Sequence, residues 1–124
     1  MIQKRAGERL IVMGDFNAKI ARSAEMGEAS IGNERGEMLL DFALSNNLKI
    51  VNMLFRGSIE DKWTWKSPIG GLHEIDYFMV EQRNNTVQHL AVMKTFKYDS
   101  DHRMLMSEMK LHKRRFSSNK EERE

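Results

Sequence analysis

Apolar residues come in short bursts along this chain, and the spacing inside each burst separates strands from helices. Arg9 to Met13 is a short apolar strand, stopped by Gly14. From Asn17 to Asn33 no period holds, and Gly27 and Gly32 punctuate the stretch, so it reads as a long loop. Loops of this length are commonly functional or mobile. Asn33 can cap the helix that follows, in which Met38, Leu39, Phe42 and Ala43 recur at helical spacing through Ser45. Asn46-Asn47 is the stop signal, and Leu48 to Met53 is the next strand. A helix between two apolar strands predicts a βαβ-like unit. Trp63-Thr64-Trp65 has strand propensity and runs into the turn sequence Ser67-Pro68-Ile69-Gly70-Gly71. Glu74 to Glu81, Thr86 to Lys94 and Arg103 to Leu111 alternate as three further strands, with Leu105, Met109 and Leu111 sharing one face of the last. The predicted class is α/β, with one mostly antiparallel or mixed sheet and one main helix.

Composition narrows the class. The 124 residues are 40% hydrophobic and 31% charged, as expected of one globular domain. A chain this long buries about 65% of its unfolded surface, enough for a modest core. The net charge of +2 neither requires nor opposes a nucleic-acid partner. No cysteine occurs, which excludes disulfides and zinc–thiolate sites. No apolar run is long enough to span a membrane, and the first residues lack a secretory apolar core, so an intracellular, nuclear or cytoplasmic setting is expected. Residues 112–124 are polar and charged and are expected to fray, leaving 1–111 as the domain.

The chemistry-bearing residues sit at strand ends or in adjacent turns. Asp15 and Asn17 follow the first strand, Asp76 lies in Ile75-Asp76-Tyr77-Phe78, and Asp101-His102 precede the last strand. If the strand continues, Asp15 and Asn17 face the same way and address one point. A carboxylate and an amide aimed together suit a hydrolytic water or a phosphoryl oxygen. Gly14-Asp15-Phe16-Asn17 taken alone could equally be a turn, and an isolated Asp-His pair more often caps loop backbone. Asp76, among apolar neighbours, needs a partner if buried, and His102 is the candidate. His73, His89 and His112 read as surface or packing residues, Trp63 and Trp65 as core or sheet face, and Lys113-Arg114-Arg115 as a solvated tail. Arg22, Arg35 and Lys66 could steer a phosphate backbone or simply be surface charges.

Taken in order, GDFNAKI (Gly14–Ile20), NERGEMLLDFALSNNLKIVNMLF (Asn33–Phe55), TWKSP (Thr64–Pro68), IDYFMV (Ile75–Val80) and SDHRML (Ser100–Leu105) resemble the endonuclease/exonuclease/phosphatase superfamily, with its DNase I-like α/β sandwich. The spacing is most similar to endonuclease domains of non-LTR retrotransposons and the craniofacial development protein 2-like proteins. The resemblance implies a Mg²⁺-dependent phosphodiesterase of DNA endonuclease type, with Mn²⁺ an alternative ion. It implies that Asp15 orients or deprotonates the attacking water and that Asn17 positions water and phosphate. Asp101 is the implied metal carboxylate, with Asp15 a further candidate. His102 is the implied phosphate-binding imidazole and Asp76 the acid that pairs with it. Thr64 and Trp65 are expected at the substrate-facing wall, and the loop from Ala18 to Gly32 at the border of the cleft.

The resemblance maps the chain onto the carboxyl-terminal half of the family domain. The other half supplies a glutamate metal ligand with no counterpart here, and Glu8 lies at the wrong end of its strand to replace it. A truncated copy with weak or no activity alone is therefore expected. A lone sheet would leave an apolar face bare, which a homodimer could cover. Two other functions remain open: a non-catalytic nucleic-acid-binding or protein-interaction remnant, and a phosphomonoesterase of the same superfamily.

Overall fold

The computed structural model describes residues 8–27, 29–94 and 100–110. Its centre is a three-stranded sheet of β1 (Ile11–Asp15), β2 (Leu48–Ile50) and β5 (Asp76–Glu81), in the order β1-β5-β2. β5 is antiparallel to both neighbours, so β1 and β2 run parallel with β5 between them. The expected βαβ unit is thus split: α1 (Glu34–Ser45) crosses from one side of β5 to the other.

β5 is central because its sequence is apolar on both faces, and Tyr77, Phe78, Met79 and Val80 are all buried. Tyr77 and Met79 pack with Ala18, Ile20, Leu39, Ala43, Leu48 and Ile50 on the α1 side. Phe78 and Val80 point the other way, onto Val51 and Leu90. That second layer is the antiparallel pair β6 (Val87–Val92) and β7 (Leu105–Met109), which adds Val87, Leu105 and Met109. The expected lone sheet with a bare face is therefore corrected: β6 and β7 cover it at β5. It stays open only at β1, where Ile11 and Met13 are exposed. Of the three residues expected to share a face on β7, Leu105 and Met109 are half-buried, while Leu111 and residues 112–124 lie outside the described residues.

α1 begins and ends as its sequence dictates. The Asn33 side chain accepts from Gly36 N at 2.9 Å, and Asn47 takes a left-handed φ of 55° just beyond the last turn. The stretch expected as a long loop is one, broken only by a single helical turn at Ala24–Met26 among the described residues, and it is tied down. Asn33 Oδ1 also accepts from Lys19 N at 3.0 Å, Arg22 bridges Ser30, and Ala18 and Ile20 enter the core. The strand expected over Trp63–Trp65 is displaced. A helical turn, α2 (Ile59–Lys62), runs into β3 (Trp65–Lys66), which pairs with β4 (Leu72–His73) around the expected turn at Ser67–Gly71. No helix among the described residues is long and apolar enough to cross a membrane.

Candidate active site

β1, β5 and the segment before β7 bring Asp15, Asp76 and His102 to one end of the sheet. Asp15 and Asp76 are cross-strand partners at the end of the β1–β5 ladder. His102 reaches them because its backbone bridges Trp65, while Arg103 N donates to Thr64 O at 2.7 Å. His102 Nδ1 lies 3.0 Å from Asp76 Oδ2, and His102 Nε2 lies 3.6 Å from Asp15 Oδ2. Ligand-bearing atoms of all three lie within 4.8 Å of one another. The cluster is open to solvent, with side-chain exposures of 47% for Asp15, 31% for His102 and 19% for Asp76. An imidazole held at one nitrogen by a carboxylate and facing a second carboxylate with the other is oriented for proton transfer or for gripping an anionic oxygen.

The remaining sequence candidates divide. Asn17 is not on the strand, which ends at Asp15. Its φ is 50°, and its backbone N–H donates to Asp15 Oδ1 at 2.8 Å. The same-face argument from strand alternation therefore fails, and a turn closed by the Asp15 side chain replaces it. Asp101 does not join the cluster: its Oδ2 accepts from Trp65 Nε1 at 3.0 Å. Trp65 also stacks on His73 with ring centroids 5.4 Å apart, so it forms a wall beside His102. Thr64 is fully buried, which removes it from any substrate-facing wall. Its Oγ1 accepts from Ile75 N at 3.0 Å and Asp76 N at 3.1 Å, so it fixes the start of β5 and with it the Asp76 carboxylate. Arg22 is unavailable to a phosphate backbone as well, being paired with Glu74 at 2.9 Å with 10% of its side chain exposed.

Behind the cluster lies a buried polar network that periodicity did not reveal. Asn52, fully buried, donates through Nδ2 to Glu74 Oε2 at 2.9 Å and Asp76 O at 3.0 Å, and accepts from Phe78 N at 2.9 Å. The Tyr77 hydroxyl lies 2.8 Å from Ala18 O and 2.8 Å from Glu74 O, and accepts from Ile20 N at 3.2 Å. Burial raises its pKa. Lys62 Nζ donates to Asn52 O at 2.7 Å and to Phe55 O, and burial pushes its ammonium down to about 8 despite the Glu74 charge. Polar letters in an apolar run were the one available signal for Asn52, within Ile50-Val51-Asn52-Met53.

The sequence profile described as "Endonuclease-reverse transcriptase" matches residues 1–106. The chain belongs to this endonuclease/exonuclease/phosphatase-like family. It is similar to craniofacial development protein 2 of Tragulus javanicus, 36% identical over 110 residues that cover 82% of this chain and 19% of that protein. Its namesake in Bos taurus is 34% identical over 110 residues, covering 82% and 18%. The chain thus spans about a fifth of the length of these curated relatives. No solved structure matches it. The family match spans Asp15, Asp76 and His102 together, and the mixed α/β architecture with antiparallel sheets is compatible with such a domain.

Proposed function

We propose that this chain carries part of the catalytic face of a metal-dependent phosphodiester hydrolase of DNA endonuclease type, built on a DNase I-like sandwich. The observation that carries this reading is the chain of contacts from Asp76 through His102 to Asp15, at a solvent-open strand end, in a member of the endonuclease–reverse transcriptase family. Asp76 holds the imidazole by Nδ1 and sets its ring plane. His102 Nε2, 3.6 Å from Asp15 Oδ2, would donate to a non-bridging phosphate oxygen bound beside that carboxylate. Asp15 accepts a proton from, or orients, the attacking water.

The donor set fits a hard dication in part. Asp15 has a carboxylate 47% exposed within the cluster, and Mg²⁺ needs only one or two carboxylates beside its waters. Asp15 would therefore hold the ion, Mg²⁺ or Mn²⁺, which would neutralise charge developing on the phosphate, while Asp101, turned to Trp65, stands outside the cluster. Asn17, in the turn closed by Asp15, would steady the water.

Nicking of supercoiled plasmid in Mg²⁺ tests this. Wild-type cleavage that is lost in Asp15→Ala and His102→Ala, and abolished by chelator, is the expected result. Equal background in all three proteins would overturn the catalytic reading. DNA binding retained with that background would support a non-catalytic module instead.

A further inference from the structure

His102 and Arg103 are consecutive in the extended segment that leads into β7. That segment lies along residues 64–66: Trp65 bridges His102 antiparallel, Lys66 N donates to Asp101 O at 3.0 Å, and Arg103 N donates to Thr64 O at 2.7 Å. Neighbouring side chains of an extended chain point to opposite sides. His102 accordingly meets Asp76 and Asp15, and Arg103 meets the end of α2. The His102 N–H itself goes to Ser100 Oγ at 3.1 Å, a local bond that reaches no other element.

The Arg103 side chain is seated on the last turn of α2. Its guanidinium carbon lies 4.2 Å from the centroid of the Trp63 ring, in cation–π contact. One terminal nitrogen, Nη1, donates to Glu60 O at 3.3 Å and to Trp63 O at 3.2 Å. Glu60 O is open to it because α2 stops there: Thr64 N, next in the helical ladder, donates to His73 O at 2.9 Å instead. A planar fork suits this seat better than an ammonium, because it covers the indole while one nitrogen reaches two carbonyls.

We propose that Arg103 is a positioning residue for His102. It pins the backbone on the side away from the imidazole, so the segment cannot roll about its own axis. The margin is narrow. His102 Nδ1 is 3.0 Å from Asp76 Oδ2. A roll that moves the ring by about 0.6 Å ends that hydrogen bond. The same roll alters the 3.6 Å approach of Nε2 to Asp15 Oδ2. Thr64 fixes the Asp76 end of the contact through its hydroxyl, while its carbonyl and the Trp63 ring fix the His102 end through Arg103. Residues 63–65 thus register the two halves of the dyad against each other. The placement of the ring rests on these contacts alone, whereas its bearing on catalysis rests on the hydrolase reading.

¹⁵N spectra of the His102 ring in metal-free protein, at one pH, test this without substrate. Arg103→Met keeps an apolar stem over Trp63 but loses the charge and the donors. Its ring nitrogens should move toward the positions seen in Asp76→Ala, which removes the acceptor. Arg103→Lys should move them part of the way, and it decides the matter if the methionine variant does not fold. Leu48→Val, a core truncation at the opposite end of β5, should leave them in place. In plasmid nicking, Arg103→Met should lower kcat about tenfold with KM changed less than about twofold. Ring nitrogens at wild-type positions in both Arg103 variants would overturn the proposal. So would an equal displacement in Leu48→Val. A wild-type chain that does not nick would overturn the hydrolase reading, and the ring spectra would still decide this one.

Discussion

Replacing Thr64 with valine tests how the fold places the acid of the candidate dyad. The two side chains are nearly isosteric, so no cavity opens, and the change removes only an acceptor. In the native chain Thr64 Oγ1 receives the N–H groups of Ile75 and Asp76 at 3.0 and 3.1 Å. Ile75 is buried and its N–H would lose its partner outright, at about 2 kcal/mol; Asp76 is half-buried and would lose about 1 kcal/mol. The sum, about 3 kcal/mol, should lower the urea midpoint by about 1–2 M at an unchanged slope. Thr64→Ser keeps the acceptor and loses one buried methyl, about 1 kcal/mol. The expected order is therefore wild type, then serine, then valine, the reverse of a ranking by hydrophobicity. The valine variant should also shift the ¹⁵N resonances of the His102 ring, since the backbone of Asp76 is released. A valine variant at least as stable as the serine one would refute the assignment of Thr64 as an anchor of β5.

Other substitutions probe separate parts of the structure. Gly36→Ala would place a Cβ 1.8 Å from the Lys19 carbonyl oxygen, so α1 must move off the loop; unfolding by circular dichroism should show a loss above about 3 kcal/mol. Arg22→Met strands the Glu74 carboxylate in a buried network and should cost about 3 kcal/mol in denaturant titration, with little dependence on added salt. Lys62 has a folded pKa of about 8, below its unfolded value, so between these the unfolded chain binds more protons and stability rises with pH. Wild type should gain about 1 kcal/mol over Lys62→Met between pH 8.5 and 10, measured by urea unfolding. Above pH 10 the buried Tyr77 hydroxyl opposes this, because its raised pKa makes ionisation favour the unfolded chain.

Elements governed by local chemistry were legible in the sequence. α1 emerges where Asn33 caps it and Asn47 ends it, because both act through backbone groups within a few residues. β5, β6 and β7 appear close to where alternation and apolar runs place them. The cover of the central sheet was not legible. Whether a bare face exists depends on how β6 and β7 fold back onto Phe78 and Val80, a long-range pairing that no local pattern encodes. The loop after Asn17 was legible as a loop, but how it is held was not, for a related reason. It is held by partners distant in sequence: Asn33 on Lys19, the Tyr77 hydroxyl on Ile20, and Gly27 against Gly57, where a Cβ would come within 2.7 Å of a carbonyl oxygen.

Within the site, what was legible depended on which atoms carry the role. Asp15 and Asp76 converge through side-chain termini at strand ends, where the backbone direction is nearly fixed by the pairing of β1 with β5, and His102 joins them through its bridge to Trp65. Identity and position along the strand were then enough to bring them together. Thr64, Asn17 and Asp101 act through hydrogen bonds whose direction depends on one or two dihedral angles. Thr64 turned inward, where its Oγ1 accepts from both Ile75 N and Asp76 N at the start of β5. Asp101 turned to Trp65, because the bridge between Trp65 and His102 sets the indole N–H beside it. A motif therefore specifies the dyad more firmly than its surroundings. The residues that hold the dyad, Thr64 and Asn52, have to be found from burial and hydrogen bonding, since both serve backbone groups of β5 that any sequence would possess.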